Sequence, residues 1–317
     1  MIISIASGKG GTGKTTVAVN LALSISEMPL QERTTTEQSD AIATPRQVGA
    51  RNDTSCHFLD CDVEEPNAHI FLRPEIKKIE PVSIPTPEVD KSRCNFCHRC
   101  AQVCAYNAIA VLKDDVLIFP HLCHGCGGCS LLCPQGAIKE VDRNIGVIES
   151  GNAGKIEFIQ GRLNIGEAMA TPIIREMKKR MGDGHLTIID VPPGTSCPVI
   201  EAVKNSDFCI LVTEPTPFGL NDLQLAVETL QKLKIPFGVI INRADIGDKK
   251  VEEYCQKEKI PVLMRIPFKK EIAIAYSKGE PMIKVLPEYK KDFQNFFNKI
   301  KKGGLYENQI HTARLGI

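Results

Sequence analysis

The stretch Gly8-Lys9-Gly10-Gly11-Thr12-Gly13-Lys14-Thr15-Thr16 follows a short apolar run, Ile2 to Ala6. It leads into Val17-Ala18-Val19-Asn20-Leu21-Ala22-Leu23, whose apolar residues have helical spacing. Strand, glycine loop and helix start, in that order, are what a phosphate-binding loop requires. The glycines let backbone N–H groups converge on an anion, and the helix start adds unpaired N–H groups and a positive dipole end. Within that G-x-x-x-x-G-K-T pattern Lys14 is expected to reach the β- and γ-phosphates of a nucleotide, and the Thr15 hydroxyl to sit on Mg²⁺.

Working outward, His57-Phe58-Leu59-Asp60-Cys61-Asp62 reads as a second buried strand ending in two acids. Leu186-Thr187-Ile188-Ile189-Asp190 is a largely apolar strand that also ends in an acid, and Val191-Pro192-Pro193-Gly194-Thr195 follows it directly. Phe208 to Thr213, Pro236 to Arg243 and Val262 to Phe268 read as further strands. They alternate with helical patterns at Asn221 to Leu233 and Lys270 to Lys278, and Gly166 to Met181 is expected to be helical as well. Strands this continuously apolar, alternating with helices, predict an α/β fold: a mostly parallel sheet with helices on both faces.

The composition changes sharply between Cys94 and Pro134. Cys94, Cys97, Cys100 and Cys104 are followed by Cys123, Cys126, Cys129 and Cys133, each 29 positions after its counterpart. The tail repeats as well, Asn107-Ala108-Ile109 becoming Gly136-Ala137-Ile138, so the segment is an internal duplication. Eight of the thirteen cysteines fall in these two runs, and the pattern points to metal binding more than to disulfides. His98 and His124, inside the runs, read as solvated side chains.

Composition excludes other classes. A net charge of +1 offers no field for nucleic acid or an anionic membrane. No run of eighteen apolar residues exists, and the amino terminus reads as a strand rather than a signal peptide, so a soluble, cytoplasmic protein is expected. Residues 26–55 are polar, with little apolar periodicity, and read as a surface loop. Leu286, Tyr289, Phe293, Phe296, Phe297 and Ile300 form a stripe that suits a last helix packed on the sheet.

The second lysine of the glycine loop, Lys9 in K-G-G-T-G-K-T-T, makes the loop resemble the deviant Walker A motif of the MinD, ParA and nitrogenase-iron-protein class of P-loop ATPases, to which the Mrp-type ATPases are related. That resemblance implies ATP and Mg²⁺ as ligands, and a homodimer in which Lys9 touches the partner subunit's nucleotide. It places Gly8, Gly10, Gly11, Thr12, Gly13 and Thr16 around the phosphates and assigns Asp62 to positioning the attacking water. It gives Asp60 to the Mg²⁺ shell and Asp190 to Mg²⁺ through water, and brings the Gly194 backbone N–H to the γ-phosphate. Asn242 would recognise the adenine edge, and Pro267 would border the ring.

The cysteine runs resemble the bacterial two-cluster ferredoxin, in which the fourth cysteine of each run ligates the other cluster. The resemblance implies one 4Fe–4S cluster on Cys94, Cys97, Cys100 and Cys133, and a second on Cys104, Cys123, Cys126 and Cys129. The expected organisation is a discontinuous ATPase domain, 1–87 and 142–317, carrying an inserted ferredoxin-like α+β domain, 88–141. Cys197 stands seven residues after Asp190, where the nitrogenase iron protein places a ligand to its bridging cluster. Without a second such cysteine, it is expected to be a buried structural residue, as are Cys56, Cys61, Cys209 and Cys255.

The function these resemblances imply is an ATPase that couples a nucleotide-dependent dimer switch to electron transfer to a partner protein. The alternatives are an ATP-dependent iron–sulfur cluster carrier with a cluster-accepting partner and a surface-positioning ATPase. Neither nucleic-acid binding nor stable membrane association is expected.

Overall fold

A computed structural model describes residues 1–28, 56–182 and 185–302; most of the polar segment 26–55 lies outside these. Among the described residues, eleven strands and eleven α-helices follow one another. The strands of the main sheet are β1 (Ile2–Ala6), β2 (Cys56–Asp60), β3 (Glu75–Val89), β6 (Ile138–Ala153), β7 (Ile156–Leu163), β8 (Leu186–Asp190), β9 (Phe208–Thr213), β10 (Phe237–Asn242) and β11 (Val262–Ile266). They stand in the order β11-β10-β9-β1-β8-β2-β7-β6-β3. From β11 to β7 every pairing is parallel, which explains why these strands are buried on both faces and read as apolar runs. The last two pairings, β7 with β6 and β6 with β3, are antiparallel.

Helices cover both faces. On one lie α1 (Lys14–Ser26), α2 (Ala68–Leu72), α10 (Met282–Val285) and α11 (Glu288–Lys301); on the other lie α5 (Thr171–Lys178), α6 (Cys197–Val203), α7 (Pro217–Leu233) and α8 (Lys250–Lys257). The α11 stripe is a packing face: Phe293, Phe297 and Ile300 are wholly buried against α1 and the sheet. Gln294 Nε2 donates to the Ser24 carbonyl of α1 (2.8 Å) and fixes the helix crossing. Helix α9 (Lys270–Ser277) closes one side of the phosphate-loop cleft. Among the described residues, no helix is long and apolar enough to cross a membrane.

Helix α5 is shorter than its sequence pattern. Gly166 takes φ +84°, outside the helical region, and Pro172 fixes the first turn, so the helix starts at Thr171 rather than Gly166.

Strand β3, with three prolines, was not legible as a strand. It is tolerated because it lies at the sheet's edge, where a missing N–H faces no partner. With β6 it forms a ribbon that leaves the sheet: Gly146 is level with Leu163 at the end of β7, while Ile138 still pairs with Val89. The eight residues from Ile138 to Ile145 carry the ribbon about 26 Å past that point at ~3.3 Å per residue. They leave at the carboxyl ends of the parallel strands, where β1 turns into the glycine loop.

The cysteine segment is held between the two arms of this ribbon. It contains α3 (Arg99–Val103), the hairpin β4 (Ile109–Val111) and β5 (Val116–Ile118), and α4 (Gly128–Leu131), around a small core of Ile109, Val116, Cys129 and Ile138. The duplication is imprinted on the backbone. Phe96, His98 and Asn107 adopt positive φ (54°, 62° and 54°), and so do Gly125, Gly127 and Gly136, each 29 residues later (62°, 72° and 53°). The second half uses glycine wherever the first carries a side chain in the left-handed region.

Candidate functional site

Two constellations stand at the same end of the sheet. The first is built on the glycine loop. Gly13 has φ +93° and opens α1, and a Cβ there would meet Asn242 Nδ2 at 2.5 Å. Gly8 passes so close to α7 that a Cβ would lie 2.3 Å from the Asp222 carbonyl. The loop is further pinned by Asn242, whose Nδ2 donates to the Thr12 carbonyl (2.8 Å), and by the Ser7 hydroxyl, which donates to the Lys9 carbonyl (2.7 Å).

The strand register brings the acids together. Asp60 and Asp190 are partners across β2 and β8, and Asp62 follows two residues on. Lys14 is 7% exposed; its Nζ donates to Asp190 (3.2 Å) and lies 3.5 Å from Asp62. Burial alone would lower the lysine's pKa, but Asp190, Asp62 and Asp60 outweigh it and raise the value, so its charge is secure. Burial raises the Asp62 carboxyl against the opposing pull of Lys14. Asp60 is wholly buried; burial first, then the Asp190 charge, push it up to about 7.

Asp60 has a task that the sequence did not reveal. Its oxygens accept backbone N–H groups of Asp62 (3.2 Å), Asn67 (3.0 Å) and Ala68 (3.0 Å), so it shapes the loop that carries Asp62. Among the described residues, Asp190 Oδ2 and Thr12 Oγ1 are buried without a hydrogen-bond partner. Such orphaned oxygens, beside a buried lysine and a glycine loop, fit a metal-bound phosphate chain. Gly194, at φ +96°, donates its N–H to the Ser7 carbonyl (3.0 Å), tying the D-x-P-P-G segment to the start of the loop.

An open cleft of about 1370 Å³ runs from Lys14, Thr15 and Thr16 to Asn242, Arg243, Pro267 and Phe268. Its far wall is apolar and aromatic, and the Arg243 guanidinium lies 5.9 Å from the Phe268 ring centroid. The half-buried Lys9 is absent from that lining. Arg243 and Phe268 were not singled out in the sequence; each directly follows a residue that was.

The second constellation is a pair of pockets in the cysteine segment. One is lined by Cys94, Cys97, Cys100 and Cys133; the other by Cys104, Cys123, Cys126 and Cys129. Backbone N–H groups donate to the sulfurs in the same repeat: Phe96 to Cys94 (3.4 Å), Gly125 to Cys123 (3.5 Å), Ala108 to Cys104 (3.2 Å) and Ala137 to Cys133 (3.3 Å). Among the described residues, no three His, Cys, Asp or Glu side chains are gathered for a single metal ion. The thiols stand around a space, and amide-to-sulfur bonds stabilise thiolate charge, so the donor set fits a multi-iron cluster.

His124 is exposed, as expected, and it also stacks on Tyr106 with ring centroids 3.5 Å apart, forming a wall of the second pocket. One expectation needs correction. Cys197 is exposed rather than buried, because it opens α6, whose inward residues are Val199, Ala202 and Val203. Cys56, Cys61, Cys209 and Cys255 are buried. Burial pushes the Cys209 thiol up to about 12 and the Cys255 thiol up to about 11, so both remain protonated packing groups.

Comparison with known proteins bears on both constellations. Residues 166–302 match the ParA family model described as NUBPL iron-transfer P-loop NTPase, and residues 116–139 match a 4Fe-4S binding domain. The chain is 32% identical to the uncharacterized protein MJ0578 of Methanocaldococcus jannaschii over 250 residues, 78% of this chain and 80% of that one. It is 28% identical to MJ0579 of the same organism, covering 95% and 96%. An iron-sulfur cluster carrier protein of Aquifex aeolicus is 29% identical over 119 residues, a span covering 33% of each chain. Among solved structures, the septum site-determining protein MinD of Pyrococcus horikoshii, complexed with Mg-ADP, superposes with a TM-score of 0.52. It has 19% identity and covers 95% of this chain and 94% of its own, a likeness of fold.

Proposed function

The chain belongs to the ParA/MinD-type family of P-loop NTPases and carries a 4Fe-4S binding domain, and from that premise we propose that it hydrolyses ATP to control electron transfer through two 4Fe–4S clusters to a partner protein. The observation that carries this reading is the common edge. The glycine loop, Asp60 and Asp190 stand where the parallel strands end, and the ribbon bearing the cysteines leaves from that same end.

Phosphoryl transfer needs mainly positioning and charge compensation. The N–H groups of Gly10 to Thr16 would cradle the phosphates. Lys14, now bound to Asp190 and Asp62, would be handed to the β- and γ-phosphates, freeing both carboxylates. Asp190 and the Thr15 hydroxyl would then hold Mg²⁺, with Asp60 behind them, and Asp62 would orient the attacking water. Gly194 would exchange its bond to Ser7 for one to the γ-phosphate, so hydrolysis returns it to Ser7. Asn242 and Pro267 would meet the adenine, and Lys9, which does not line its own cleft, would reach the nucleotide of a second copy. The cysteine sets, Cys94, Cys97, Cys100 and Cys133 and then Cys104, Cys123, Cys126 and Cys129, would hold clusters that supply one-electron chemistry.

Cluster carriage is the second reading. It is favoured by the iron-transfer family match and by the partial likeness to iron-sulfur cluster carriers. Anaerobically purified protein separates the two. If electron donation to a one-electron acceptor depends on Mg-ATP and is lost in Lys14→Ala, the first reading stands. If intact clusters pass to an apo-protein while donation ignores nucleotide, carriage replaces it.

A further inference from the structure

We propose that Glu167 and Arg143 form a strap setting the attitude of the iron–sulfur module on the ATPase body, and that the loop carrying Asp62 pulls on this strap. The coupling to nucleotide rests on the function proposed above; the strap itself does not.

The ribbon has a hinge where it leaves the sheet. Val82 pairs with Gly146, but the next residue, Ser83, pairs with Asn144, so Ile145 is an extra residue on β6. A β-bulge of this kind interrupts the ladder and bends the strand. It is not left slack. The Ile145 carbonyl accepts the Asn164 N–H (2.9 Å), and Asn144 Nδ2 donates to the carbonyls flanking the bulge, Val82 (3.3 Å) and Gly146 (3.1 Å). Asn164 Nδ2 in turn donates to Asn144 Oδ1 (2.8 Å).

Beyond the bulge, on the module's side, Arg143 reaches back. Its Nη1 donates to the Glu167 carboxylate, which is only 8% exposed, and its Nε donates to Thr86 Oγ1 on β3 (3.4 Å). The same Glu167 oxygen lies 3.7 Å from Nδ1 of His121, in the turn that precedes Cys123. One carboxylate of the body thus faces both the ribbon and the loop of the second cysteine pocket.

The loop bearing that carboxylate is tied to the acidic loop at the nucleotide site. The Leu163 N–H donates to the carbonyl of Val63, the residue after Asp62 (2.8 Å), and the Glu167 N–H donates to the Asn164 carbonyl (3.1 Å). The contact is tight: a Cβ on Gly161 would lie 2.6 Å from the side chains of both Val63 and Ile173. A close-packed joint transmits displacement instead of absorbing it. When the Asp62 loop rearranges around phosphate, Leu163 to Glu167 move with it, and the break in the ladder at Ile145 is where the ribbon responds.

Hydrogen exchange of the intact, cluster-loaded chain tests this, since the readout needs no labelled cysteine. In the wild type, a non-hydrolysable ATP analogue with Mg²⁺ changes exchange in segments 142–146 and 119–124 as well as at the glycine loop. Arg143→Gln and Glu167→Gln raise exchange in both segments by about tenfold or more without nucleotide. Nucleotide then alters only the glycine loop, with its affinity unchanged. The charge-swapped double variant, Arg143→Glu with Glu167→Arg, restores the protection, which separates loss of the strap from general misfolding. If single variants exchange like the wild type, the strap is refuted; if nucleotide protects the glycine loop and leaves 142–146 untouched in the wild type, the pull of the Asp62 loop on it is refuted while the nucleotide reading survives. If the glycine loop itself is never protected, the underlying function fails and the coupling falls with it.

Discussion

Replacing Lys14 with methionine keeps the length of the side chain and deletes its charge among three carboxylates. Lys14 Nζ lies 3.2 Å from Asp190 and 3.5 Å from Asp62, and Asp190 is wholly buried. Breaking a buried pair by removing one partner costs about 3–5 kcal/mol, because an uncompensated charge stays in the interior. Asp60, at about 7, makes that cost depend on pH. A carboxyl raised above its ordinary value of about 4 adds stability at low pH and loses it as pH rises through that window, at about 1.4 kcal/mol per unit. Lys14 is one of the groups holding Asp60 down, so its removal extends the loss above neutrality. The deficit of Lys14→Met should therefore grow from about 3 kcal/mol near pH 6 to about 4 kcal/mol near pH 8 in Mg²⁺-free buffer. Because the chain has no tryptophan, urea unfolding is followed by circular dichroism, under anaerobic conditions. A deficit below about 1 kcal/mol near pH 8, or one that grows as pH falls, refutes the view of Lys14 as the counter-charge of this cluster.

The cysteine pockets predict crossed ligation: Cys104→Ser should lose the cluster shared with Cys123, and Cys133→Ser the one shared with Cys94, each leaving about four of about eight irons per chain. Loss of both clusters from either variant would contradict two separate sets. Gly8→Ala drives a Cβ to 2.3 Å from the Asp222 carbonyl, so ATP affinity should fall by about tenfold or more in calorimetry while the helical signal is kept. Phe297→Ala, emptying a wholly buried site between α11 and α1, should cost about 3–5 kcal/mol in urea unfolding.

What the sequence disclosed was local chemistry. The glycine loop, the strand ending in Asp190 and the strand ending in Asn242 are short patterns in which neighbouring residues determine both the structure and the exposure of the polar end. The paired cysteine runs are equally local, and the backbone repeats their 29-residue offset in φ. Contacts between distant segments stayed hidden. Strand β3 reads as charged and proline-rich because only an edge position tolerates it. The role of Asp60 in gathering the amides of Asp62, Asn67 and Ala68 depends on a turn whose shape no spacing rule supplies. Arg143 and Glu167 lie 24 residues apart and carry no motif; only the return of β7 beside β6 brings them together. Cys197 was expected to be buried for want of a second ligating cysteine, whereas the helix it opens turns it outward.

The rate at which reduced clusters bleach a one-electron acceptor, compared in Mg-ATP and in Mg-ADP on the same anaerobic preparation, tests the link between the two constellations most directly. A nucleotide switch coupled to the cysteine module predicts a difference of about fivefold or more, abolished in Lys14→Ala. Equal rates in both nucleotides, with ATP demonstrably bound, would contradict it.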